Sequence, residues 1–316
     1  MQRVLSYLFF PIIAPSLFIL KHIRKSASRY YPVIDMLFDK IGIYPVANHY
    51  YNPFVIPGKD FEIGKYNQPR KLPTIVMNEQ NQLELLKKFC YQEELHAIES
   101  NDAKNELDYN FKNGTFEAGD AEIYYNYIRY FKPATIIEIG SGNSTKMAAH
   151  AIRASQQEQP GYSPSFISIE PFEMPWLEKM DIKVSRQKVE EFNLDFFRQL
   201  KENDILFIDS SHVIRPEGDV LFEYLQILPS LEKGVIIHIH DIFTPFHYPL
   251  EWIRERRMWN EQYLLEAFLS YNDHYEILTA NNFLKHFHYD AFAEACPVFK
   301  KKTDQGVGSC WIRKIK

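Results

Sequence analysis

From about residue 120 onward, short apolar runs alternate with segments whose apolar positions recur every three or four residues. The runs TIIEIG (135–140), SFISIE (165–170), DILFID (204–209) and GVIIHIH (234–240) predict strands, and DIKVSRQKV (181–189) a further one. A strand that is apolar along its whole length is covered on both faces. Between these runs, STKMAAHAIRA (144–154), LDFFRQL (194–200) and GDVLFEYLQIL (218–228) predict helices. Asp120 can cap a helix whose apolar positions 124, 127, 128 and 131 share one face, with Pro133 after its end. A helix at NEQYLLEAFLS (260–270) and strands at YEILTA (275–280) and SCWIRKI (309–315) follow. The fold class is α/β: a three-layer sandwich with a mostly parallel sheet between two helical layers.

Upstream the pattern is less regular. VIDMLFDKI (33–41) has helical spacing, whereas residues 42–75 carry five prolines and many aromatics and read as an irregular connector. NEQNQLELLKKFCYQEELHAI (78–98) reads as one polar-faced helix, and 100–119 as a polar loop. Three parts follow: an apolar N-terminal segment with a basic flank (1–30), a helical and irregular extension (31–119), and an α/β domain (120–316).

The run VLSYLFFPIIAPSLFIL (Val4–Leu20) is 17 residues without a charge. A spanning helix needs about 20. Pro11 and Pro15 break a helix in water but are tolerated in a membrane, and no small-residue cleavage site follows, as a secretory signal requires. Lys21, Arg24, Lys25 and Arg29 follow the run, against Arg3 before it. That asymmetry keeps the remaining chain cytoplasmic if the run attaches to the inner face of a membrane. A monotopic hairpin and a buried apolar arm are the other readings.

Composition narrows the partners. Of the 316 residues 46% are hydrophobic and 24% charged, and the net charge is −5. No long basic block lies outside the N-terminus, which argues against nucleic acid. Cys90, Cys296 and Cys310 are odd in number and widely spaced, as expected of a reducing compartment.

In parallel sheets ligands bind where strands end at their carboxyl edge. The first strand leads into Glu138, Gly140, Ser141, Gly142, Asn143 and Ser144, where glycines allow close backbone approach and a helix start faces negative charge. The second ends at Glu170, an acid suited to ribose hydroxyls. The fourth ends in Asp209, Ser210, Ser211, His212, and the fifth in His240–Asp241, while His238 reads as a structural residue within its strand. Acidic or imidazole groups thus close four successive apolar strands, and buried charges need partners or a metal.

IIEIGSGNST, ISIEP, ILFIDSSHV and GVIIHIHDIF, in that order, resemble the motifs of class I S-adenosylmethionine-dependent methyltransferases. The resemblance covers about residues 120–316 and is nearest to a bacterial subgroup with Asp-x-x-His and His-Asp strand ends. It departs at the third motif glycine, which is Ser144 here. It implies a Rossmann-like sheet with an antiparallel last strand. It also implies cofactor contacts from Glu138, Gly140, Ser141, Gly142, Asn143, Ser144, Glu170 and Asp209. In metal-dependent relatives, carboxylates after the fourth and fifth strands hold a divalent ion, which makes Asp209, His240 and Asp241 the candidate ligands for Mg or Mn. A hydroxyl acceptor needs deprotonation, and His212, His240 and Asp241 are the candidate catalytic residues. The expected activity is O-methylation of a sugar or other small hydroxylated acceptor. Two other readings stay open: a metal-dependent hydroxylase or hydrolase on the same fold, and a non-catalytic membrane-associated scaffold.

Overall fold

Seven strands form one sheet in the order β3-β2-β1-β4-β5-β7-β6. They are β1 (Thr135–Ile139), β2 (Ser165–Ile169), β3 (Lys183–Ser185), β4 (Ile205–Ile208), β5 (Ile236–His240), β6 (Tyr275–Ala280) and β7 (Ser309–Lys314). This computed structural model describes residues 2–23, 31–46, 49–100, 105–302 and 306–316. Arg24, Lys25 and Arg29 of the basic flank lie outside the described residues, as do 101–104 of the polar loop.

The first five strands are parallel: β1 pairs with β2 and with β4, placing Ile137 beside Ile167 and Leu206. β7 runs antiparallel to β5 and β6, with His238 opposite Trp311. The apolar runs behave as their composition predicts, since every residue of β4 and β5 is buried. The chain turns to opposite sides of the sheet between β1 and β4, so the carboxyl ends of β2, β1, β4 and β5 share one rim.

The helix Asp120–Phe131 is buried along almost its whole length. Its Tyr127 ring stacks 3.9 Å from Trp311. Arg129, also buried, donates to both oxygens of Glu94 at 2.8 Å and to Ser155 Oγ at 2.9 Å. One guanidinium therefore ties three helices together, its charge satisfied by a forked pair.

Four local expectations change. The helix expected over 78–98 is two, Glu79–Leu86 and Gln92–Ser100. Burial of Phe89 beside Tyr127 requires the break, and Gln92 Nε2 donates to the Phe89 carbonyl at 2.8 Å. β3 keeps three of the nine expected residues and sits at the sheet edge. The segment 218–228 widens into a π turn over Glu223–Ile227. Asp120 is the first helical residue rather than the cap: the Gly119 amide donates to Glu122 Oε2, and the Asp120 carboxylate is used elsewhere.

The chain divides into two compact units, Met1–Lys65 with Pro249–Met258, and Tyr66–Tyr248 with Trp259–Lys316. The smaller contains α1 (Gln2–Ile23), with Pro11 and Pro15 inside it, and α2 (Pro32–Ile41). Tyr7, Leu8, Phe10, Ile12 and Leu17 of α1 are exposed. Among the described residues no helix is long and apolar enough to cross a membrane. The arginines after β5 are already engaged within this unit: Arg254 with Glu251, Arg256 with the Val55 carbonyl, Arg257 with Glu255 and the Trp252 ring.

Candidate active site

The rim gathers the residues that close β1, β2, β4 and β5. Gly140 follows β1 with φ +79°, and a Cβ there would lie 1.9 Å from the Asp209 carbonyl oxygen. Only glycine lets the two strand exits approach this closely. Gly142 has open space around its Cβ position and begins the helix Asn143–Glu158. Glu170 accepts from the Ser141 amide at 3.0 Å and the Phe172 amide at 2.9 Å. Ser141 also bonds Ser168 through its hydroxyl, and Asn143 donates to Thr115 Oγ1. A cavity of about 350 Å³ opens here, lined among others by Gly140, Glu170, Lys188, Asp209, Ser211 and Arg215. A more open hollow of about 870 Å³ lies over the amino-terminal side of β2, beside Arg153, Phe166 and Lys183, away from this rim.

Glu138 does not line the cavity. It is fully buried, and its two oxygens accept from the hydroxyls of Ser144 and Thr145 at 2.7 and 2.6 Å. It therefore anchors the first turn of the helix that follows. Burial pushes its pKa up to about 8, with the two hydroxyls opposing. In the folded protein the group holds its proton up to about pH 8, whereas the unfolded chain releases it near pH 4.5. The folded state then binds the extra proton inside that window, so stability falls as pH rises through it. Glu138→Gln removes this loss. Urea melts at pH 5 and pH 8 should differ more for the native chain than for the variant, by up to about 4 kcal/mol.

Beside the cavity four side chains converge. Asp209 Oδ1 lies 3.1 Å from His212 Nε2 and 3.2 Å from His240 Nδ1. Asp241 Oδ2 lies 3.6 Å from the same two nitrogens. Ligand atoms of Asp209, His240 and Asp241 fall within 4.8 Å of one another. Each imidazole is backed by a further carboxylate: Glu261 Oε2 sits 2.8 Å from His212 Nδ1, and Asp120 Oδ2 sits 4.0 Å from His240 Nε2. Glu261 is fully buried and also accepts from Tyr224 Oη at 3.0 Å. Asp120 accepts from the Gly308 amide and Asn281 Nδ2.

The backbone holds these groups in an uncommon conformation. His212 and Asp241 both have left-handed φ, +59° and +54°. Non-glycine residues occupy that region rarely, and such strain persists where surrounding structure fixes it. Here the amides of Asn260 and Glu261 donate to the His212 carbonyl, and the Ser211 amide donates to Asp219.

The electrostatics follow from burial and charge. Burial alone would lower the His212 pKa, but hydrogen bonds to Asp209 and Glu261 raise it well above the usual imidazole range. His240 is likewise opposed by burial and raised to about 10 by Asp241 and Asp209. Burial works against the Asp209 carboxylate, yet His240 and His212 hold its pKa far below the usual range. Asp241 is shifted upward by burial. His238 stands apart: its Nε2 lies 2.9 Å from Ser309 Oγ, its ring stacks 3.9 Å from Phe207, and burial drives its pKa down. It is the neutral in-strand residue that its sequence position suggested.

The structure thus brings Asp209, His212, His240 and Asp241 together, with Gly140 and Glu170 on the adjoining cavity. Asp120 and Glu261 escaped sequence reasoning. Both are acids in a predicted first helical turn, which ordinarily reads as capping or dipole complementation.

Residues 137–242 match the family model described as a methyltransferase domain. Among solved structures, the chain is similar to the plantazolicin methyltransferase BpumL in complex with SAH, at 17% identity and TM-score 0.38, over 76% of this chain and 98% of that one. It is also similar to an O-methyltransferase from Bacillus cereus in complex with SAH, at 12% identity and TM-score 0.32, over 75% and 91%. No curated protein matches. Residues 137–242 therefore form a methyltransferase domain, set in a sheet of order β3-β2-β1-β4-β5-β7-β6 with an antiparallel β7.

Proposed function

We propose that the chain transfers the S-adenosylmethionine methyl group to a hydroxyl of a sugar or other small hydroxylated acceptor, with a divalent ion assisting. The observation that carries this reading is the convergence of two carboxylates and two imidazoles beside the cavity of Gly140 and Glu170. The catalytic domain spans residues 120–316, preceded by the extension 31–119 and the segment 1–30, which attaches to the cytoplasmic face of a membrane.

The cavity suits the cofactor. Its volume of about 350 Å³ falls within the range for small-molecule sites. Glu170 uses two backbone donors and keeps lone pairs for the two ribose hydroxyls. The donor set also suits a hard or borderline cation, since Asp209, Asp241 and His240 supply two carboxylates and an imidazole. Asp120 stands 4.0 Å behind His240, on the side from which a carboxylate can orient a metal-binding imidazole, and Glu261 fixes the neighbouring His212 ring at 2.8 Å. Mg or Mn bound there would lower the pKa of an acceptor hydroxyl. His212 and Asp209 lie where they can orient that hydroxyl, and a cation held at Asp209 would oppose the acids that keep His212 protonated, leaving His212 Nε2 to take the proton. The methyl group moves by in-line displacement at the sulfonium, so positioning supplies most of the rate.

Calorimetry with S-adenosylhomocysteine, followed by transfer of labelled methyl from S-adenosylmethionine to a panel of sugars and polyols with and without Mg or Mn, tests the reading. Micromolar binding and metal-stimulated label in a hydroxylated acceptor support it, whereas no binding together with tight retention of iron or zinc overturns it. Glu170→Ala should weaken S-adenosylhomocysteine binding about 10- to 100-fold, because one buried charge-assisted hydrogen-bond partner is worth about 1.5–3 kcal/mol, and should lower the melting temperature by a few degrees as the Ser141 and Phe172 amides lose their acceptor.

A further inference from the structure

The smaller unit exposes more apolar side chain than an aqueous surface explains. Around α1 the exposed residues point every way: Tyr7, Leu8, Phe10, Ile12, Ile13 and Leu17 cover the full circle at 100° per residue. A groove on a protein partner covers one face of a helix, whereas a helix apolar all round calls for an apolar medium on every side.

α2 is different in kind. It exposes Val33, Met36, Leu37 and Ile41 on one side, buries Phe38, and turns Asp35 and Asp39 to the opposite side. After it, Tyr50 and Tyr51 are 80% and 72% exposed, whereas Tyr44 donates its hydroxyl to Asp39 on the acidic side at 3.0 Å. An amphipathic helix followed by exposed tyrosines is the pattern of an element lying in the headgroup layer.

Charge selects the kind of surface. Residues 1–34 contain five of the 36 Lys and Arg and none of the 41 Asp and Glu. The remainder holds 31 basic residues against all 41 acids, so attraction to an anionic surface is concentrated in the segment that is also apolar. The same like charge disfavours pairing this segment with a second copy of itself.

We propose that α2, with Tyr50 and Tyr51, is a second membrane contact that lies in the interface of an anionic bilayer beside the α1 contact. This rests on the membrane attachment of residues 1–30 and adds to it a separate element and a lipid preference. α1 inserts its apolar circumference; α2 rests its Val33–Ile41 face at the headgroup boundary and keeps its acids turned to water.

The test uses the full chain with vesicles of pure phosphatidylcholine or of phosphatidylcholine with 30% phosphatidylglycerol, in flotation at low and high salt. The native chain should bind the anionic vesicles at least tenfold more tightly than the neutral ones, and lose most of that margin at high salt. Met36→Glu with Leu37→Glu should weaken binding at least tenfold while the circular dichroism melt and S-adenosylhomocysteine affinity stay unchanged. If the native chain floats with neither vesicle, the underlying attachment fails. If it binds both equally and the double variant binds like the native chain, α1 alone is the anchor and the α2 proposal fails. A stable dimer in light scattering that the double variant dissociates, without vesicle binding, assigns this face to a second copy and overturns the proposal as well.

Discussion

Replacing Asp241 with Ala should cut turnover by about a thousandfold while S-adenosylhomocysteine still binds within a few fold of the native affinity. Asp241 is mostly buried, its Oδ2 faces the nitrogens of both His212 and His240, and it does not line the cavity of Gly140 and Glu170. Among the described residues, removing it leaves the His240 charge with Asp209 and the more distant Asp120 as acidic neighbours, and deletes one of the three groups able to hold a cation. Loss of a buried partner shifts the survivors as well as the deleted contact. Asp241→Asn, which keeps shape but not charge, should fall nearly as far. Single-turnover kinetics on the acceptor found in the transfer screen, with calorimetry on the same preparations, separates the two quantities. Native-like turnover in Asp241→Ala and in His212→Gln would remove the proposed chemistry. Loss of cofactor binding in step with turnover would relocate Asp241 to the cofactor.

The sequence announced this site through its strands. β1, β4 and β5 are apolar along their length because both faces are covered, so their ends are readable, and the residues just past them fall on one rim by topology alone. That logic reached Gly140, Glu170, Asp209, His212, His240 and Asp241. It could not reach Glu261, which stands 49 residues from the histidine it touches. Local pattern places Glu261 at the start of a helix but carries no information about what that helix start faces. Asp120 failed for the same reason: a good capping residue by type, it sits one position inside the helix and gives its carboxylate to Gly308 and Asn281 near His240. The split of the 78–98 helix was hidden too, because nothing in Lys87–Tyr91 breaks a helix by propensity. The break follows from burying Phe89 against Tyr127, a tertiary demand that overrides local preference.

The glycine motif offers the sharpest separation between what a pattern says and what packing requires. Gly140 and Gly142 carry equal weight in the sequence, and the structure gives them unequal roles. At Gly140 the backbone has φ +79°, and an added Cβ would meet the Asp209 carbonyl oxygen at 1.9 Å, a backbone atom that cannot swing aside. The left-handed conformation alone costs an alanine about 1–2 kcal/mol. Relieving the overlap means parting the exits of β1 and β4, whose hydrogen bond from the Asp209 amide to the Ile139 carbonyl is 2.9 Å. Gly140→Ala should therefore lose about 4 kcal/mol or more of stability and, in whatever fraction folds, the registration of Asp209 against His212 and His240. Gly142 has φ 178°, extended backbone open to any residue, and nothing within 4 Å of its Cβ position. Gly142→Ala should change stability by about 1 kcal/mol or less, the usual cost of alanine at a helix start. Its effect, if a cofactor passes close to this turn, appears in S-adenosylhomocysteine affinity alone. Urea unfolding of the two variants beside the native chain, with calorimetry on each, reads both quantities. Equal melts for Gly140→Ala and Gly142→Ala would contradict the close approach of β1 and β4 on which the geometry of the whole rim depends.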